Sequence, residues 1–436
     1  MKKIILGLGI GIGIFCVFYF LPIFEREKPK ISLPEESLSI GSRSIIKVQL
    51  QDNFGLKDLR VFITQKGVSK EVYSERFPKG IKEKQLEITL KPKELDLSEG
   101  EASLIVEVQD TSFWRIGKGN RSSVIFPVFL DFTPPQLELI SFTRYIYQNG
   151  SGAVVFKTSD DAHEAGIKVG KCFFKAYPER IQNGTLWKCL FGIPFLCESS
   201  QAVVLAKDKA GNEAIWALPY VILSRKIKED KVSISEDFIN TKVYSLLPPD
   251  KKNLSSEEAF KYVNEDLRFQ NDAFIQNLTT DSTPQILWKG AFLQLPNSKV
   301  MATFGDQRTY LYNGQIIGKS VHLALDLATS ANSPVICAND GVVKFIGDMG
   351  IYGNTVIIDH GFGLMTLYAH LSSWTVKEGQ EVKKGEIIGY TGATGFAGGD
   401  HLHFAVMLSG YPVDPVEWLD QKWLNERILS VLSVEQ

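Results

Sequence analysis

Histidine is scarce in this chain but concentrated in one stretch. Only six of the 436 residues are histidines, and five of these lie between His322 and His403. In this stretch His322 is followed four residues later by Asp326, and His401 lies two residues before His403. Imidazole nitrogens and carboxylate oxygens are the ligands of catalytic zinc sites, which keep one position open for water. The cluster therefore predicts a metal-dependent hydrolytic site.

Local spacing predicts how these side chains converge. Residues i and i+2 of a β-strand face the same side, so His401 and His403 would look into one cleft. His322 and Asp326 would share a face on either a strand or a helix. The apolar alternation around them favours extended chain. His370 follows a third candidate strand, so three strands would bring these groups together.

Five further polar residues are weaker candidates for a functional role. His163, in an acidic turn, and His360, before a glycine, are interpreted as structural histidines. Tyr368 is equally compatible with an oxyanion donor and with a packed strand aromatic. Asp306 and Arg308 are equally compatible with cleft-lining residues and with a solvated loop pair.

The N-terminus differs from the rest of the chain. Lys2 and Lys3 precede an apolar run from Ile4 to Phe24. About 20 such residues span a bilayer core. The run therefore predicts an uncleaved membrane anchor that exports the remainder of the chain; the alternatives are a cleaved signal peptide and a lipoprotein modified at Cys16.

Composition sets broad limits. The chain is 44% hydrophobic and 22% charged with a formal net charge of -2, so no basic excess indicates nucleic-acid binding. Its length predicts about two to four domains. In an oxidising compartment, one pair among Cys172, Cys189 and Cys197 would form a disulfide, and the sequence does not say which. Cys337 is interpreted as a small buried core residue.

Residues 29–225 contain short alternating strands separated by turns, in a pattern that is typical of β-sandwiches. The pattern repeats: Pro29-Lys-Ile-Ser-Leu33 has an echo in Pro135-Gln-Leu-Glu-Leu139. The segment resembles two bacterial immunoglobulin-like (Ig-like) domains, over 29–133 and 134–225. Residues 226–287 are predicted to form a partly helical connector, with a helix start at Ser255-Ser-Glu-Glu258. A spacer role is the simple interpretation, and an inhibitory role over the active site stays open.

Residues 288–436 return to β-strand patterns with glycine turns, and here a specific resemblance begins. The motifs that carry it occur in a fixed order: Phe304-Gly-Asp-Gln-Arg308, His322-Leu-Ala-Leu-Asp326, Gly353-Asn-Thr-Val-Ile-Ile-Asp-His360-Gly, Tyr368-Ala-His370, Thr391-Gly-Ala-Thr-Gly395 and His401-Leu-His403-Phe404. In this order and spacing, the last third of the chain resembles the catalytic domain of lysostaphin (LytM)-type zinc endopeptidases, which cleave peptidoglycan peptides.

The resemblance implies a division of labour within the cluster. His322, Asp326 and His403 would be the ligands of one Zn²⁺ per chain, while His370 and His401 would be the catalytic pair that is free of metal. The chain departs from the family at two positions. Ala324 stands where glycine is usual, and Ala405 follows the His-x-His-Phe run where the family commonly has a glutamate soon afterwards. Neither position is a ligand.

These inferences together predict a mostly β protein with five segments: an N-terminal transmembrane anchor or signal segment (1–28), two Ig-like β-sandwich domains, the connector, and an antiparallel β-sheet metallopeptidase domain (288–436). The predicted activity is zinc-dependent hydrolysis of peptidoglycan cross-link peptides outside the cytoplasm, from a single-pass anchor in the inner membrane. D,D-endopeptidase action is the first choice of bond.

Two rivals use the same segments differently. One is a catalytically silent regulator or binding module that activates or localises another cell-wall hydrolase. The other is an adhesin or scaffold that acts through its Ig-like domains. If the protein is an enzyme, its Ig-like domains could still bind other cell-wall enzymes or division and elongation proteins. No nucleic-acid partner is expected.

Overall fold

The computed structural model describes residues 26–33, 38–114 and 118–433. Within these ranges the predicted mostly-β fold is confirmed, with a few short helical segments. No helix among these residues is both long and apolar enough to cross a membrane. The predicted anchor covers residues 1–28, and residues 1–25 of it, including Cys16, lie outside the described ranges.

The first compact unit comprises Met1–Pro135 and Lys207–Glu213. It contains a three-stranded and a five-stranded sheet that share one apolar core. In spatial order the strands are Lys30–Ser32, Ser44–Gln51 and Glu83–Leu90 in one sheet, and Leu38–Ile40, Arg121–Leu130, Gly100–Asp110, Leu56–Gln65 and Val68–Arg76 in the other. Burial alternates along these strands, as the period-2 sequence pattern requires of a two-layer sandwich.

The second compact unit comprises Gln136–Ala206 and Ala214–Gln436. Its N-terminal part consists of strands in two four-stranded sheets. One sheet has the order Tyr177–Arg180, Thr185–Gly192, Ser151–Thr158 and Leu137–Phe142, and the other Cys172–Lys175, Ala162–Val169, Ala202–Asp208 and Glu213–Ala217. A pair of short parallel strands, Tyr145–Tyr147 and Val221–Leu223, accompanies them. Cys172 and Cys197 form a disulfide, while Cys189 and Cys337 are free and buried.

The connector contains both strand and helix. Glu229–Ser233 pairs in parallel with Gln307–Tyr312, which pairs in turn with Gln315–Val321. Helical residues 236–246 and 256–279 follow the first of these strands. The Ser255 side chain accepts a hydrogen bond from the Glu258 N–H, and the Glu258 carboxylate accepts one from the Ser255 N–H, so a capping box starts the second helical segment.

Short 3-10 helices lie at Pro92–Leu95, Phe195–Cys197, Pro249–Lys251 and Gly350–Tyr352. The longer helical runs form three groups: Glu236–Phe238, Ile239–Val243 and Tyr244–Leu246; Ser256–Lys261, Tyr262–Leu267 and Arg268–Thr279; and Pro415–Trp418, Gln421–Trp423, Leu424–Leu429 and Ser430–Leu432. The last group covers the region where the sequence indicates a C-terminal amphipathic helix. Leu424 and Ile428, four residues apart, are both fully buried, as expected for one helical face.

The C-terminal segment, residues 288–436, is built on a large antiparallel sheet. Its strands lie in the order Lys299–Ala302, Leu325–Ala328, Leu402–Leu408, Leu364–Leu371, Asn354–Asp359, Gly341–Asp348 and Glu381–Val382, and Tyr411–Val413 also pairs with Leu402–Leu408. A smaller sheet contains Pro334–Ile336, Ile387–Tyr390 and Ser373–Trp374. The strand Leu402–Leu408 is central, and its two neighbours position the polar cluster on either side of it.

One apolar core runs through the second unit. It includes residues from the strands after Gln136 together with Trp288, Phe292 and Trp418 of the C-terminal segment. The indole N–H of Trp418 donates to Ser151 Oγ at 3.0 Å, and the Glu417 carboxylate accepts from the Ser151 N–H at 2.7 Å. The second sandwich and the large C-terminal sheet are therefore packed as one body.

Candidate metal centre

Strand register brings the polar cluster together. Asp326 lies directly opposite His403 across one strand pair, and Ala369 lies opposite His403 across the other. His370, the residue after Ala369, therefore lies on the neighbouring strand on one side of the central strand. Asp326 lies on the neighbouring strand on the other side. His401 precedes the central strand and forms an isolated bridge with Gly392.

His322, Asp326 and His403 form the tightest part of the cluster. Asp326 Oδ1 is 2.9 Å from His322 Nε2 and 3.0 Å from His403 Nδ1, and the two nitrogens are 3.3 Å apart. Three donors that each lie about 2.0–2.1 Å from a tetrahedral zinc are separated by about 3.3 Å. The donor types and their separations therefore fit a zinc ion with one open position.

The environment of His322 fixes which nitrogen faces the site. His322 Nδ1 is 3.0 Å from the Thr303 carbonyl, so Nδ1–H donates to that oxygen and Nε2 keeps its lone pair. Asp306 holds the Thr303 backbone, since its carboxylate accepts from the Thr303 N–H at 2.9 Å and from Thr303 Oγ1 at 2.6 Å. Asp306 is buried, so it supports the site from behind and is not part of a solvated pair.

Arg308 holds the Asp326 carboxylate in place by a hydrogen bond. Its Nη2 donates to Asp326 Oδ2 at 3.0 Å, which leaves Oδ1 directed at the imidazoles. Burial raises the pKa of Asp326, but the contacts with His322, His401 and His403 outweigh burial and hold that pKa well below its usual range. The contacts therefore favour the ionised form of Asp326, which is the form that a metal ligand would need.

His370 and His401 form a second pair beside these three residues. Their ring centroids are 4.9 Å apart, and the His370 ring is 5.5 Å from that of His403. Burial lowers the pKa of His370 well below its usual value, and the neighbouring imidazoles lower it further. Burial also lowers the pKa of His401, but the contact with Asp326, at 3.5 Å, raises it and gives a net upward shift.

A strained backbone and a glycine turn orient His370. Its φ of 61° lies in the left-handed region, which is uncommon for a residue other than glycine. Its Nδ1 lies 2.8 Å from the Thr394 carbonyl, so Nε2 is the nitrogen left for chemistry. The next residue, Gly395, packs so closely on Gly353 that an added Cβ would lie 2.4 Å from the Gly353 nitrogen. This close approach explains the glycine at both positions.

The structure also places the remaining sequence candidates. Tyr368 is fully buried and its hydroxyl accepts from the Ala338 N–H at 2.8 Å, so it is a packed strand aromatic and not an oxyanion donor. His360 is buried between the Asp340 carbonyl and Thr366 Oγ1, and burial lowers its pKa to about 4, in line with a structural role. His163 is exposed and lies on the strand Ala162–Val169 of the second sandwich. Ala324 is fully buried in an apolar core.

Comparison with known proteins agrees with this geometry. The sequence matches the model of peptidase family M23 over residues 320–415. This stretch is a peptidase family M23 domain. It contains His322, Asp326, His370, His401 and His403, and it includes the central strand with both of its neighbours.

Relatives of the M23 domain cover only part of the chain. The sequence is 46% identical to DD-carboxypeptidase/endopeptidase Mpg of Neisseria meningitidis serogroup B over 96 residues. These 96 residues make up 22% of this chain and 22% of Mpg. The sequence is also 41% identical over 96 residues to peptidoglycan DD-endopeptidase ShyA of Vibrio cholerae, again 22% of either chain. The chain thus spans 22% of the length of these curated relatives.

Two solved structures are similar to parts of the chain. A peptidase M23 structure from Pseudomonas aeruginosa is 20% identical and covers 63% of this chain and 95% of its own, with a TM-score of 0.37. The catalytic domain of lysostaphin from Staphylococcus simulans is 29% identical and covers 30% of this chain and 98% of its own, with a TM-score of 0.26.

A cavity of about 330 Å³, which we call the groove, opens over the metal centre. The M23 domain lines it with all five cluster residues and with Tyr352, whose ring lies 5.6 Å from that of His403. The connector contributes Phe238, which packs edge-on against Phe396 at 5.2 Å, and Arg268. Sequence reasoning missed Tyr352 and both connector residues, because neither their type nor their spacing marks them as part of a cleft.

Proposed function

We propose that this protein is a zinc-dependent endopeptidase that hydrolyses peptidoglycan cross-link peptides. The observation that carries the proposal is the convergence of His322 Nε2, Asp326 Oδ1 and His403 Nδ1 on one point, with separations suited to a tetrahedral metal. These three residues would hold the ion. The chemistry that such an ion supplies when bound is polarisation of the scissile carbonyl and a lowered pKa for a coordinated water.

His370 and His401 would perform the proton and oxyanion work. Each has Nδ1 within 2.8 Å of a backbone carbonyl, Thr394 for His370 and Gly399 for His401, so each would keep Nε2 for the reaction. A neutral imidazole accepts a proton from the attacking water, and its protonated form returns the proton to the leaving amine. The second imidazole, in its protonated form, donates from Nε2 to the developing oxyanion. We assign the base to His370, because burial keeps it neutral, and the oxyanion role to His401.

The substrate class is supported by the relatives. The names of the Mpg and ShyA proteins describe DD-endopeptidases, and the M23 domain of this chain is similar to both. The groove over these side chains is open to solvent, which suits a peptide substrate. Cleavage of a D,D cross-link is therefore the reaction that we propose.

The remaining segments would place this activity in the cell envelope. The apolar run near the N-terminus supports a single-pass inner-membrane anchor, and the two sandwiches support Ig-like spacer domains that reach into the periplasm. Those domains would also offer surfaces to other cell-wall enzymes or to division and elongation proteins.

The direct test is incubation of the full chain, loaded with zinc, with purified cross-linked peptidoglycan. Mass analysis should find cross-linked peptides converted to monomers, with one water added per bond cut. His370→Ala provides the inactive control, and His163→Ala, at an exposed histidine outside the cluster, should cleave as the wild type does. A zinc-loaded wild type that leaves the cross-links intact would favour the silent regulator.

A further inference from the structure

One loop holds both histidines of the proposed catalytic pair. It covers residues 391–400, directly before the central strand of the large sheet, and we call it the histidine loop. The Thr394 carbonyl lies 2.8 Å from His370 Nδ1, and the Gly399 carbonyl lies 2.8 Å from His401 Nδ1. The direction in which each Nε2 points therefore depends on the conformation of this loop.

The histidine loop needs support from outside itself. Glycine loses more conformational freedom than any other residue when a chain is ordered, so a glycine-rich loop does not keep one conformation unaided. The C-terminal segment supplies some contacts: Thr394 Oγ1 accepts from the Asn354 N–H at 2.9 Å, and the Phe396 N–H donates to the Ile351 carbonyl at 2.8 Å. Four of the ten loop residues are glycines, namely Gly392, Gly395, Gly398 and Gly399.

The connector supplies two further contacts to the same loop. Lys242 Nζ donates a hydrogen bond to the Ala393 carbonyl. The Phe238 ring packs edge-on against the Phe396 ring, with 5.2 Å between their centroids. Ala393 directly precedes Thr394, and Phe396 follows it by two residues. The connector thus holds the chain on both sides of the carbonyl that orients the proposed base.

The Lys242 contact is specific to this loop. Lys242 lies in the short helical run Ile239–Val243 and is partly buried. Within the described part of the chain it forms no ion pair, and the Ala393 carbonyl is its hydrogen-bond acceptor. An ammonium that donates to a carbonyl makes a charge-assisted hydrogen bond, which is stronger than one between neutral groups. A segment that served only as a spacer would need no such bond.

We propose that Lys242 is a positioning residue for catalysis. Through the Ala393 carbonyl it fixes the histidine loop in the conformation in which the Thr394 carbonyl orients His370. The inference rests on the proposed function, and it makes the connector part of the catalytic unit. Lys242 is not among the described residues that line the groove, so its loss should lower kcat and leave KM nearly unchanged.

The test compares three variants of the zinc-loaded full chain with the wild type. Lys242→Met removes the donor, Lys242→Arg keeps a cationic donor, and Lys261→Met removes an exposed lysine elsewhere in the connector. Release of peptide from a synthetic cross-linked peptide gives kcat and KM, with kcat expressed per zinc-bound chain. Amide hydrogen exchange, read by mass on the fragment 391–401 without substrate, reports the order of the loop, in which the Phe396 and His401 N–H groups are hydrogen-bonded.

We expect Lys242→Met to lower kcat by roughly tenfold to a hundredfold, because small misplacements of a reacting group have effects of this size. Its amide exchange should become faster in the histidine loop and stay unchanged elsewhere. Lys242→Arg should recover most of both losses, and Lys261→Met should behave as the wild type does.

Two outcomes would overturn the proposal. One is a kcat per zinc-bound chain in Lys242→Met that equals that of the wild type. The other is loop exchange in Lys242→Met that is unchanged, or that rises only as part of an increase over the whole chain. If the zinc-loaded wild type cleaves no peptide, the endopeptidase assignment fails, and the exchange measurement still decides whether Lys242 orders the loop.

Discussion

Arg308 and Asp326 are joined by a hydrogen bond of 3.0 Å between Nη2 and Oδ2, on the side of the carboxylate that faces away from the imidazoles. This contact leaves Oδ1 free to face His322 and His403. A carboxylate that is held at one oxygen cannot rotate away from the metal position. The proposed metal centre would thus depend on an arginine that is not itself a ligand candidate.

Replacing Arg308 by methionine should weaken zinc binding without removing any ligand. Loss of such a supporting partner typically costs about tenfold to a hundredfold in metal affinity. Competition with a chelator of known affinity measures the change. Lys319→Met, which removes an exposed positive charge from the neighbouring strand, is the matched control and should bind zinc as the wild type does. Equal affinities in both variants would mean that Asp326 needs no support.

His370→Ala should separate metal binding from catalysis. His370 lies beside the three ligand candidates, so the variant should keep its zinc while kcat falls by about a hundredfold to ten-thousandfold. Elemental analysis and peptide release from cross-linked peptidoglycan measure the two effects on one sample. Near-normal cleavage by the variant would transfer the role of the base to His401.

The stability of the second unit should fall as pH rises from about 4.5 to 7. Burial raises the pKa of Glu417 from 4.5 to about 7, against the Ser151 N–H and Arg225, which lower it. The unfolded chain therefore releases this proton at a lower pH than the folded chain does. Between these two pKa values, rising pH lowers the free energy of unfolding by up to about 3 kcal/mol. Urea unfolding of Glu417→Gln should lack this part of the pH dependence, which the exposed control Glu381→Gln should keep.

The Cys172–Cys197 disulfide should stabilise the second unit. It closes a loop with a sequence separation of 25, which in the chain-entropy model is worth about 3 kcal/mol. Reduction, or the double change to serine, should lower the urea midpoint by a corresponding amount. Peptide mapping without reductant should find this pair bridged and the buried Cys189 and Cys337 free. A bridge to Cys189 would contradict the structure.

Much of the site could be predicted because it depends on strand periodicity. His401 and His403 share a side by simple alternation, and one central strand with two neighbours is enough to bring Asp326 and His370 to them. The assignment of ligand and catalytic roles among these residues stays a prediction, since it came from resemblance to a family.

The supporting contacts could not be predicted, because they depend on how distant segments pack. Asp306 reaches His322 only through the Thr303 backbone, and Arg268 reaches the groove only because the connector folds back over it. The Trp418–Ser151 hydrogen bond joins residues 267 positions apart. Local sequence carries no signal for such contacts, and for that reason a spacer was the simple interpretation of the connector.

Zinc content is the most direct test of the central claim that His322, Asp326 and His403 hold a catalytic metal. After reconstitution with zinc and removal of the excess, the full chain should contain about one zinc per chain. His403→Ala should contain almost none, whereas His163→Ala should match the wild type. A wild type that retains no zinc, or a His403→Ala chain that retains a full equivalent, would contradict the account.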